Sequence, residues 1–170
     1  MALLRITKYG EAVLKKKARP VQNLNGDMRK LIDDMYETMY SSYGIGLAAP
    51  QVNVSLRLAV INVLPEKKRN QFVIINPKIV KREGKMQSEE GCLSLPGVGG
   101  ALVKRWEKVT VEAINEQGLP ITITADGLLA RCLQHEIDHL EGKLIIHRAP
   151  LKRRFEMLWK IRKLKKEKLW

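Results

Sequence analysis

The segment QHEIDHLEG, residues 134–142, constrains this chain more than any other stretch. It contains the pattern HExxH as His135, Glu136 and His139. Positions four apart on a helix lie about 40° apart around its axis, so the two imidazoles share a face and can meet one metal ion. Glu136 sits at the edge of that face, close enough to touch a water on the ion without ligating it. The fold must therefore supply a helix here and an opposing element that closes the site. The same spacing also arises on exposed amphipathic helices that bind nothing.

A catalytic site of this kind takes three protein ligands and keeps one position open. A metzincin would place a third histidine at position 145, but that residue is Ile145, and His147 is two residues too late. Glu156, the thermolysin-like option, lies in a basic tail with no supporting motif. Cysteine is the better candidate. Cys132 shares the histidine face but stands about 4.5 Å along the axis from His135 and about 10.5 Å from His139. It reads as a pocket wall or a core thiol. Cys92, in EGCLSLP (90–96), belongs to a separate glycine- and proline-bounded segment that can approach the helix from the other side. Cys92, His135 and His139 are the expected ligands, with Glu136 as the base.

Two cysteines are too few for a disulfide framework, and the N-terminus has too short an apolar run for a secretory signal. No stretch approaches the roughly 18 apolar residues of a membrane span. A soluble protein of the reducing cytosol is the expectation, with thiols available to a metal. Along the chain, 25–43 reads as a helix capped by Asn25 or Asp27, with Leu31, Met35, Thr38 and Met39 at helical spacing. GIGLAAPQ (44–51) breaks it. LRLAVINVL (56–64) and FVIINPKIV (72–80) are strand-like, and 108–125 reads as a hairpin around Gln117-Gly118. Residues 126–142 and 151–170 read as helices. This order predicts an α+β fold, with small antiparallel sheets around a central metal-binding helix and a helix at the C-terminus.

GIGLAAPQ, EGCLSLP and QHEIDHLEG, taken together and in this order, resemble bacterial-type peptide deformylase. The resemblance covers roughly residues 4–155. It implies a metal-dependent hydrolase that removes the N-formyl group from the N-terminal methionine of new polypeptides and releases formate. It aligns Cys92, His135 and His139 with the metal ligands and Glu136 with the general acid/base. Gln51 aligns with a side-chain amide donor to the formyl oxygen, and Leu93 with a backbone N–H donor to the same atom. From the residues alone, Gln51 would read as a turn residue after Pro50. The resemblance also implies that Gly46 contacts the substrate backbone, and that Ile45, Leu128, Arg131 and Cys132 fall at pocket positions. Glu90 and Arg105 are expected to pair and brace the Cys92 loop. The implied ion is iron(II), although Cys/His/His also suits zinc, nickel and cobalt. The chain departs from the family pattern at His147, where Asp is usual. It also departs at 96–105, which is one residue longer.

Net charge is +13, which favours a polyanionic partner. Residues 151–170 hold nine Lys or Arg and two Glu, so this tail carries +7 of the total. Met157, Leu158, Ile161 and Leu164 form an apolar stripe at helical spacing. Residues 1–150 are thus expected to form the catalytic domain, and 151–170 a basic helical tail. The resemblance implies that such a tail contacts the ribosome, and its charge suits rRNA. The plainer reading is a solvated helix face. Two other functions stay open here: a metallopeptidase that needs no formyl group, and a ribosome-binding protein with an inactive metal site.

Overall fold

A computed structural model of the chain describes residues 2–64 and 70–170. Helix α1 spans Gly26–Ser41. Of the two candidate caps Asn25 serves, its side chain accepting from the Met28 N–H at 3.0 Å. Asp27 adds a negative charge in the first turn. The glycine-rich segment that ends this helix does more than break it. Strand β1 (Gly46–Ala48) follows at once, and then a tight 3-10 turn over Ala49–Val52.

The remaining strands are β2 (Leu58–Ile61), β3 (Phe72–Glu83), β4 (Met86–Glu90), β5 (Ala101–Arg105), β6 (Lys108–Ile114) and β7 (Pro120–Ala125). One antiparallel sheet has the order β1-β2-β3-β6-β7, and β4 and β5 pair separately. Period-2 alternation in β2 explains the layering. Leu58 and Val60 face α1 with Met35 and Met39. Ala59 and Ile61 face the other helix, α2 (Gly127–Leu140), with Ala130 and Leu133. The fully buried strand LAVI is thus covered on both faces, and α2 lies against the sheet near the short edge strand β1.

Helix α2 ends at Leu140, two residues before the expected end at 142, and the chain leaves it through Gly142 at φ +71. The Gly142 N–H donates to the His139 carbonyl at 3.1 Å, and the Lys143 N–H to the Asp138 carbonyl at 2.8 Å. A Cβ at Gly142 would lie 2.9 Å from the Lys15 backbone carbonyl, so glycine is needed for space as well as for φ.

A one-turn helix, α3 (Ile145–Arg148), follows. His147 lies in it as a satisfied surface residue, its Nδ1 accepting from the Leu144 N–H at 3.0 Å. Helix α4 spans Leu151–Lys166, four residues short of the expected helix end. Met157 and Ile161 are buried in a third apolar cluster with Leu14, Leu95, Val98 and Leu144–Ile146, and Leu158 and Leu164 pack at its edge. None of the described helices is long and apolar enough to cross a membrane.

Candidate metal centre and pocket

The loop that carries Cys92 and helix α2 meet at one place. Cys92 Sγ lies 3.3 Å from His139 Nε2, which is itself 3.3 Å from His135 Nε2. All three ligand atoms lie within 4.8 Å of one another. Two nitrogen ligands at about 2.05 Å from an ion, at a tetrahedral angle, stand roughly 3.3 Å apart. The spacing and the S/N/N donor chemistry therefore fit a divalent transition-metal ion. Burial, with the nearby His135 and Arg105 charges, holds the His139 imidazole well below its ordinary pKa, whereas His135 is held well above its own, its contacts with Cys92 and Glu90 outweighing burial. Burial pushes the Cys132 thiol up, and Glu136 and Glu90 push it further, so it stays protonated and is a poor ligand. Its Sγ lies 3.6 Å from the Ile45 carbonyl.

Behind the ligands is a buried charge network. Glu90 accepts from His135 Nδ1 at 3.0 Å, which turns Nε2 toward the other donors. Arg105 grips Glu90 with both nitrogens of its fork, at 2.9 and 2.7 Å. The expected pair is present, but its side chains are only 3% and 9% exposed, so it is a buried bridge and not a weak surface one. Arg105 also donates to Asp138 on α2 at 2.5 Å, and Arg148 donates to the same carboxylate at 3.0 and 2.5 Å. Burial raises the Glu90 carboxyl, but Arg105 and His135 more than offset this and bring it down to about 2. A depressed carboxylate stabilises the fold above its ordinary value of 4.5, and that contribution disappears as the pH falls toward about 2. The metal-free protein is therefore expected to lose stability to urea over this range more steeply than its Glu90→Gln variant. Parallel losses would show that Glu90 contributes nothing of the kind.

In front of the ligands is a cavity of about 380 Å³. Its lining includes Ile45, Gly46, Gln51, Cys92, Leu93, Leu128, Arg131, Cys132, His135 and Glu136, so the residues singled out from the sequence surround one space. His139 is buried, and Cys92 and His135 are half-buried beside it. Leu128 is 42% exposed at the cavity, which separates it from the core leucines. Glu136 is buried, and its Oε2 has no hydrogen-bond partner among the described residues. Burial pushes this carboxyl up to about 7 against the pull of His135. The Gln51 amide is oriented by its other end, because Oε1 accepts from the Ala48 N–H at 2.9 Å. Its Nε2 makes only long contacts, 3.4 Å to Ser94 Oγ and 3.9 Å to Cys92 Sγ, and can turn to a better acceptor. The Leu93 N–H makes no hydrogen bond among the described residues. Gly46 lets β1 pass close to α2: a Cβ there would lie 2.8 Å from Cys132 Sγ and 2.9 Å from the Glu136 carboxyl carbon.

Sequence reasoning missed Asp138, Arg148 and Ser94. The available signal for Asp138 was a carboxylate embedded in the apolar run around Ile137 and Leu140, a position that needs a buried partner.

Three convergent donors, a buried unpartnered carboxylate and an oriented amide on one cavity make the arrangement of a mononuclear metal-dependent hydrolase. The polypeptide deformylase family matches residues 3–155. The chain is 56% identical over 155 residues to peptide deformylase of Thermodesulfovibrio yellowstonii, covering 90% of this chain and 93% of that protein. It is 46% identical over 171 residues to peptide deformylase of Acidobacterium capsulatum, covering both chains fully. The crystal structure of a peptide deformylase from Legionella pneumophila superposes with a TM-score of 0.92 at 46% identity, covering 98% of each chain. The chain belongs to the polypeptide deformylase family, metal-dependent enzymes that remove the N-formyl group from nascent polypeptides.

Proposed function

We propose that Cys92, His135 and His139 hold a divalent ion, iron(II) in the native protein, and that Glu136, Gln51 and Leu93 carry out formyl hydrolysis beside it. The observation that carries this reading is the convergence of the three donor atoms with the unpartnered Glu136 carboxylate on one cavity. Zinc, nickel and cobalt suit the same donors. A divalent ion bound there supplies Lewis-acid polarisation of the carbonyl and lowers the pKa of water. Glu136 takes the proton of the attacking water and delivers it to the amine nitrogen as the C–N bond breaks, leaving formate and a free N-terminus. The Gln51 Nε2 and the Leu93 N–H donate to the formyl oxygen as negative charge develops on it. Residues 1–150 supply all of these groups.

The methionine side chain of a formylated nascent peptide is received between Ile45, Leu128, Arg131 and Cys132. The peptide backbone adds to the outer edge of β1 at Gly46, since among the described residues β1 pairs only with β2. Gln51→Ala is expected to lower kcat/KM for formate release from formyl-Met-Ala-Ser by roughly 10²–10³ while metal content is unchanged. An unaltered rate removes Gln51 from the oxyanion site. Protein loaded anaerobically with iron(II) and, in parallel, with zinc tests the ion in the same assay, with iron(II) expected to be faster.

The remaining part of the reading is cytoplasmic work at the ribosome, with residues 151–170 as the basic helical tail against rRNA. Lys152, Lys160 and Arg162 are exposed on α4. Because Met157 and Ile161 are core residues, the test reverses charges and leaves the helix in place. The variant with Lys152→Glu, Lys160→Glu and Arg162→Glu is expected to lose salt-sensitive co-sedimentation with ribosomes while still deformylating free peptide. Equal sedimentation of both proteins retires the tail's role.

A further inference from the structure

A second cavity, of about 600 Å³, lies on the other side of α2 from the formyl pocket, between the end of β3, the β4–β5 hairpin and the chain after α2. Its apolar lining includes Met86, Ile137 and the indole of Trp106, which is 36% exposed. The Trp106 backbone is fixed to α2 at both polar groups: its N–H donates to Gln134 Oε1 at 2.9 Å, and its carbonyl accepts from Gln134 Nε2 at 2.8 Å. The indole thus projects from a backbone held by the residue next to His135. Arg82, Lys85, Lys104 and Lys143 line the same cavity, and none of the four makes an ion pair among the described residues. The two carboxylates in the lining are already engaged, Asp138 by Arg105 and Arg148, and Glu141 by Arg57 and Lys17. The cleft therefore carries surplus positive charge around an exposed aromatic face.

That combination selects a ligand with both a phosphate and a flat ring. Cations attract the phosphate, and an aromatic face stacks a base without needing its sequence. Lys85 places its ammonium 5.9 Å from the centroid of the Trp106 ring, so this face is accessible and already holds a charge. Lys85 is exposed and flexible; it can swing from the ring to a phosphate as a base takes its place. An acidic peptide would meet the cations but would leave the indole without a stacking partner. We propose that the Trp106 cleft is a binding site for a nucleotide unit, with phosphate on Lys104 and Lys143 and the base on Trp106. The unit comes either from a free mononucleotide or from a single strand of RNA. The site is separate from the formyl pocket and does not depend on the reading of that pocket.

The test is calorimetric titration of the metal-loaded full chain with AMP and with a six-residue oligoadenylate, beside the Lys104→Glu/Lys143→Glu variant. Saturable binding that weakens about tenfold or more in the variant supports the site. AMP binding as tightly as the oligomer assigns a free nucleotide, and binding of the oligomer alone assigns an RNA strand. Trp106→Ala is expected to weaken binding as well while leaving formate release from free peptide in place. The proposal is overturned if neither probe saturates, or if both bind the variant as well as the parent, which would assign the binding to the basic helix α4.

Discussion

The Cys92→Ala protein is expected to be purified without stoichiometric metal, and the Cys132→Ala protein with it. The two thiols test the site well because both line the same cavity and differ in environment. Cys92 Sγ lies 3.3 Å from His139 Nε2 on a loop that opposes α2. Cys132 is buried on α2 itself, in contact distance of Ile45, and its thiol is held above the ordinary pKa by burial and by neighbouring carboxylates. Removing Cys92 takes one of the three proposed ligands and the sulfur donor among them, which leaves two histidines with weak affinity for an ion. Removing Cys132 takes a wall atom. Metal analysis of the two purified variants decides the matter, and metal retained by Cys92→Ala but lost by Cys132→Ala would reverse the ligand assignment.

Glu136→Gln is expected to keep its metal and lose roughly 10⁴-fold in turnover, the upper range for one acid/base group. The substitution preserves size and removes the ability to carry a proton. In the protein this carboxyl is buried, has an oxygen without a hydrogen-bond partner among the described residues, and is raised to about 7. Such a group is costly to keep for stability alone, since a buried unpaired carboxyl destabilises the fold. Glu136→Gln is therefore also expected to raise the thermal midpoint of the metal-free protein. Full activity with normal metal content would show that another base acts.

Most of the candidate metal site was legible in the sequence because each proposed ligand sits in a local pattern. HExxH needs only helical periodicity to put two donors on one face, and the failed register at Ile145 sends the search to a separate segment. The elements with strong local signals also emerged close to expectation, notably α1 with its Asn25 cap and α2, which spans Gly127–Leu140 within the expected 126–142. Strands β4 and β5 did not. Met86–Glu90 is short and rich in Glu, and its pairing with Ala101–Arg105 depends on contacts across a ten-residue connection. Gln51 shows a different limit. Its residue type and its position after Pro50 say turn, which is correct, since it lies in the 3-10 turn Ala49–Val52. Its direction is set by the Ala48 N–H, and that depends on backbone geometry. The Asp138–Arg105–Glu90 network was the least legible part, because its members come from α2, β5 and β4 and become neighbours only on folding.

The packing of α4 has a consequence for the order in which the site can assemble during synthesis. Leu95 and Val98, just beyond Cys92, share a cluster with Met157 and Ile161. A chain leaving the ribosome N-terminus first can form the sheet, and later α2, while this cluster still lacks one side. The loop that brings Cys92 to the two imidazoles gains its full packing only when α4 has emerged. Completion of the candidate centre is thereby tied to the emergence of α4, and the nascent protein presents the two histidines before the Cys92 loop is fully packed.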